Sequence, residues 1–122
     1  MTPIRRAKQL VDQSWNSNDL GCLDTARSIL EEAVAANPED TSLLVCLGAV
    51  LSDRGEHVLA VAVLEKAIEL GSVDRNAHRN LAIALMNCDS AGRSRAMGMF
   101  KKANEMTPSP ETWEAYFDPH AH

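Results

Sequence analysis

Three cysteines, four histidines and 17 acidic residues are the groups in this 122-residue chain that could carry chemistry, and their spacing assembles none of it. Cys22, Cys46 and Cys88 stand far apart, with no CxxC pair to hold zinc or to exchange a disulfide. Glu65 and Glu69 are four apart on a predicted helix, a like-charge pair that reads as solvated surface and not as an acid/base dyad. His120 and His122 bring two imidazoles with no further ligand near them in sequence. Gly92 and Gly98 are isolated and build no phosphate loop or nucleotide motif, and no GxSxG or Cys/His constellation occurs. The expectation is a chain that is not an enzyme and carries no cofactor or metal.

Bulk properties narrow the class further. A net charge of −5 without a basic stripe argues against nucleic acid as a partner. The most apolar run, Leu43 to Leu51, is too short for a membrane span, and the first residues lack the apolar core of a secretory signal. With widely spaced cysteines, these features lead us to expect a cytoplasmic protein with reduced thiols. Aromatic content is only 4%, so Ala, Leu and Val carry the apolar load, as suits closely packed helices.

The elements that position these residues repeat. Ala26, Leu30 and Ala33 return as Ala60, Leu64 and Ala67, each 34 residues on, and Leu10, Ser14 and Gly21 return as Leu44, Gly48 and Gly55 at the same offset. Leu44, Leu47 and Gly48 map again onto His78, Leu81 and Ala82, and Ala96, Phe100 and Ala103 follow the second set at 36. A fixed period of this length predicts a solenoid whose units bury their apolar faces by stacking.

Helical spacing and breakers supply six helices. Thr2-Pro3 starts the first and a turn over 16–21 ends it; Asn37-Pro38 stops the second. Thr41 or Ser42 caps the third, 57–70 forms the fourth, and Asp74 caps the fifth. A long turn over 88–92 takes up the two extra residues before the sixth helix at 93–106. Trp113, Tyr116 and Phe117 at i, i+3, i+4 predict a short closing helix over 111–117, followed by a tail at 118–122.

In its 34-residue period and its recurrent small residues the chain resembles the tetratricopeptide repeat family. The second unit matches through Leu44, Leu47, Gly48, Gly55, Ala60, Leu64 and Ala67, and Pro38 and Pro108 close the first and third units. The resemblance spans residues 7–110. It implies one all-α domain at 1–117, an α-solenoid of three antiparallel helix pairs (about 7–40, 41–74 and 75–110) in a right-handed superhelix. The small residues would sit where two helices come closest.

It also implies a concave groove lined by the first helix of each pair. Its lining would be Lys8, Val11, Trp15, Asp19, Val45, Ala49, Asp53, Arg79, Ile83 and Met86, apolar in the middle with Lys8 and Arg79 as its cations. Relatives that hold the carboxylate tail of heat-shock chaperones use a cluster of Lys, Asn and Arg. The corresponding places here are Val11, Trp15, Cys46, Asn76 and Asn80, so tail binding of that kind is not expected. The expected function is an adaptor or scaffold that takes a peptide or amphipathic helix of a partner protein in the groove. The alternatives are a secretion-type or assembly chaperone, and a self-associating structural protein, with a homodimer as a possible state. No membrane partner is expected.

Overall fold

The structure, a computed structural model, describes residues 1–88 and 90–115, and at 90 and 91 the backbone alone. The expectations for Tyr116, Phe117 and the histidine tail lie outside the described residues. Six α-helices follow one another: α1 (Pro3–Ser17), α2 (Leu20–Ala36), α3 (Thr41–Asp53), α4 (His57–Glu69), α5 (Arg75–Met86) and α6 (Ser90–Ala103). No strand occurs among the described residues. Each helix packs on the next, giving an all-α helical-repeat solenoid.

The layer arrangement decides which face is concave. Among the described residues the backbones of α1 and α3, and of α3 and α5, come close, whereas those of α2, α4 and α6 do not approach one another. The side on which the helices approach most closely is the inside of the curve, so α1, α3 and α5 form the concave face. The central helix α3 is buried along its whole middle, from Leu43 to Ser52.

Local chemistry sets the helix ends. Thr2 accepts from Arg5 N–H at 3.1 Å, with Pro3 in the first turn where its missing donor costs nothing. Asp19 caps α2 through Gly21 N–H at 2.9 Å. Asp40, not Thr41 or Ser42, caps α3 through Leu43 N–H at 3.2 Å; a carboxylate there also favours the positive end of the helix dipole. The two second-unit helices end alike. Gly55 and Gly71 adopt φ of 82° and 98°, and the residue after each donates back to Leu51 and Ala67, which closes the helix with a left-handed cap.

The third pair departs from expectation at its turn. It is confined to the few residues after Met86, and α6 is already under way at Ser90, so the two additional residues lengthen the start of α6.

Small residues sit where helices touch. Ala26, Ala60, Ala67, Ala96 and Ala103 are completely buried. A Cβ placed on Gly48 would lie 2.5 Å from Cγ of Leu64, closer than atoms can pack, so α3 and α4 are held together by the absence of a side chain. Ion pairs Arg54–Asp24 at 2.8 Å and Arg95–Glu65 at 2.6 Å lie outside this core, the first between α2 and the end of α3, the second between α4 and α6. Partly solvated pairs of this kind contribute little to stability.

Candidate functional site

The concave face is covered by the chain itself. After α6, residues 107–115 turn back across α5, α3 and α1, and over 111–115 they are not the expected closing helix. Three physical reasons combine. Pro108 and Pro110 disfavour helix in the residues before them, so α6 cannot run on through 107–109 into this stretch. A turn at Pro110–Glu111 redirects the chain. Beyond it, the Trp113 carbonyl and the Ala115 amide, which a helix would bond internally, are taken by the Asn80 side chain of α5.

The contacts run in order along α5. Arg75 N–H donates to the Thr107 carbonyl at 3.1 Å. Asp74, already capping α5 through Asn76 N–H at 2.9 Å, accepts from Ser109 N–H at 2.8 Å and from the Thr112 hydroxyl. Asn76 Nδ2 donates to Thr112 Oγ1 at 3.1 Å, and Arg79 Nε donates to Glu114 Oε1 at 2.6 Å.

Asn80 makes the most informative contact. Its Nδ2 donates to the Trp113 carbonyl at 2.9 Å and its Oδ1 accepts from Ala115 N–H at 2.8 Å, with Asn80 fully buried. One amide thus bridges the C=O of residue n and the N–H of residue n+2. A residue in a parallel β-ladder bridges its neighbouring strand in this way. A helix cannot offer that pair, because its C=O and N–H groups point in opposite directions along the axis and are bonded internally.

The rest of the inner face supplies apolar surface and one thiol. Trp113 and Ala115 are buried in the main core together with Val11, Cys46, Ala49 and Ile83. Lys8 Nζ stands 5.6 Å from the centre of the Trp113 ring, a cation–π distance. Cys46 Sγ lies 3.8 Å from the Glu111 carbonyl oxygen. Burial, then the charges of Asp74, Asp40 and Glu111, push the Cys46 thiol well above its ordinary range, with Lys8 opposing. Cys46 therefore stays protonated and inert near neutral pH, while Cys88 is exposed. A thiol reagent at pH 7.5 is expected to modify Cys46 at least about a hundredfold more slowly than Cys88. Comparable rates in peptide mapping would mean that the covering segment opens freely.

The predicted groove residues therefore divide. Lys8 and Arg79 flank the covering segment and touch it. Val11, Val45, Ala49 and Ile83 are on the inner helices but buried, with Val45 packed in a second cluster with Leu44, Ala67 and Ala77. Met86 and Asp53 are half-buried at the far ends of α5 and α3. Asp19 caps α2, and Trp15 is 48% exposed near the end of α1. Asp74 was expected only as the cap of α5, and Asn76 and Asn80 only as places where a carboxylate-tail site would stand; the structure brings all three onto the covering segment. The signal that could have found them is two amides four residues apart on the inner helix of the third unit, capped by a carboxylate. His78 is buried and lies on the other side of α5, its Nδ1 3.3 Å from the Asp74 carbonyl oxygen.

Beyond Pro110 and Glu111 the groove continues into an open cleft of about 790 Å³ between the start of α1 and the α2–α3 junction, with Arg5, Lys8 and Asp40 on its walls. No cluster of three or more potential metal ligands occurs among the described residues. Nor is any described helix long and apolar enough to cross a membrane.

Comparison with known proteins gives a partial likeness. No family model matches the chain. It is 39% identical over 70 residues to the cellulose synthase operon protein C of Escherichia coli K12 and to the putative cellulose synthase operon protein C of Escherichia coli O157:H7. The match covers 52% of this chain and 6% of each relative, so the aligned region is a small part of much longer proteins.

Proposed function

We propose that this chain is a tetratricopeptide-like protein-interaction module that receives an extended polypeptide segment across α1, α3 and α5, and that it binds without catalysing a reaction. The observation that carries the reading is the Asn80 amide bridging the Trp113 carbonyl and the Ala115 amide. A side chain placed to pair with open backbone reads the one feature every extended peptide shares, while neighbouring pockets read alternate side chains. The same observation favours an extended ligand over an amphipathic helix. The proposed compartment is the cytoplasm, as the cysteine usage suggests. The likeness to the cellulose synthase operon proteins supports a shared helical unit; a part in any cellulose-related assembly is not proposed from 70 aligned residues.

The test is selection of random twelve-residue peptides on the immobilised full chain, followed by photo-cross-linking of the best binder. Adducts are expected on α1, α3 and α5. Adducts confined to α2, α4 and α6, or the failure of any peptide to be selected, would remove the proposal.

A further inference from the structure

We infer that residues 107–115 are an internal ligand for this groove, and that the partner is an extended segment with a donor-rich residue, an aromatic, an acid and a small residue in succession, which binds by displacing them. The inference rests on the interaction reading above and specifies both its ligand and its regulation.

The pattern comes from what each groove residue receives. Asp74 and Asn76 receive Thr112. The core together with Lys8 receives Trp113. Arg79 receives Glu114, and Asn80 receives the backbone on either side of it. Residues upstream of such a segment would lie along the cleft beyond Glu111.

Two buried polar atoms mark the internal segment as an imperfect occupant. Asn76 Oδ1 and Trp113 Nε1 have no hydrogen-bond partner among the described residues. Asn76 is 4% exposed, and the cause is stoichiometric. The Thr112 hydroxyl has one proton and gives it to Asp74, so towards Asn76 it can only accept. A primary amide at this place has two protons, enough for both Asp74 and Asn76 Oδ1. Unmade buried bonds lower the affinity of the internal segment for its own groove, and a segment that makes them displaces it.

The probe is a fluorescein-labelled synthetic peptide of residues 107–115 carrying Thr112→Asn and Trp113→Phe. Against the full chain carrying Trp113→Ala and Glu114→Ala, anisotropy is expected to give affinity at least about tenfold tighter than against the unaltered chain. That ratio follows if the groove is uncovered less than about a tenth of the time. Trp113 becomes the sole indole in a full chain carrying Trp15→Phe, and saturating unlabelled probe is expected to shift its emission to the red as the ring enters water. This second measurement decides the matter by itself if the doubly altered chain does not fold. Equal affinity for covered and uncovered chains, or binding without a Trp113 shift, overturns the inference. A molecular mass that doubles with concentration together with the shift replaces it with exchange of the segment between two copies. Cross-links from selected peptides on α1, α3 and α5 with an unmoved Trp113 would leave the interaction reading standing and remove the internal ligand alone.

Discussion

Gly48→Val is expected to cost about 3 kcal/mol of folding stability and to lower the melting temperature by about 10 °C. The added methyls have nowhere to go. Even the first carbon would stand 2.5 Å from Leu64 Cγ and 2.6 Å from Cδ2, and Leu64 is itself completely buried among the α4 alanines. Gly48→Ala makes the same clash with one atom but gains about 1 kcal/mol of helix propensity, so its net loss is smaller. Thermal melts by circular dichroism measure both. The second-site variant Leu64→Ala should restore part of the loss when combined with Gly48→Val, because neighbouring substitutions that share one space do not add. A Gly48→Val chain melting within about 2 °C of the parent would mean that α3 and α4 are not in tight register.

Asn80→Ala is expected to cost about 2–4 kcal/mol, the loss of two hydrogen bonds together with the desolvation of the groups they leave behind. The Trp113 carbonyl and the Ala115 amide are covered in the parent, and alanine offers neither a donor nor an acceptor. Asn80→Asp separates the two halves of the clamp at constant shape. It keeps an acceptor for the Ala115 amide but turns a carboxylate oxygen towards the Trp113 carbonyl, so it should be no better than alanine. Urea unfolding gives the energies, and hydrogen exchange at the Ala115 amide locates the change. If Ala115 exchanges as slowly in Asn80→Ala as in the parent, the amide bridge does not hold the segment.

These expectations show where local pattern was sufficient. Ala26, Ala60 and Ala96 recur because helix contacts recur, and a short-range spacing rule recovers them and the helices that carry them. The caps at Thr2 and Asp74 follow from residue type and position in the same way. The covering segment was not legible by that route. Trp113, Tyr116 and Phe117 carry helical spacing, and what overrides it is an amide 33 residues upstream of Trp113 and 35 upstream of Ala115. Pairing at that distance leaves no trace in a periodicity. The family resemblance placed Val11, Val45, Ala49 and Ile83 on the inner helices, yet a place in the repeat carries no information about what lies on top of it. Asp19 has a second duty that the repeat pattern does not reveal: its Oδ1 caps α2 through the Gly21 amide.

The face that residues 107–115 cover is composite, drawn from α1, α3 and α5, helices that contact one another only after the units have stacked. No two-helix fragment presents it. The complete platform thus exists only after the stack has assembled, and a stage in which the platform exists without its cover is the expected order. A competing polypeptide present at that moment meets no resident to expel. On the proposed reading, the order of folding, and not equilibrium affinity alone, would decide how readily this groove acquires a foreign occupant.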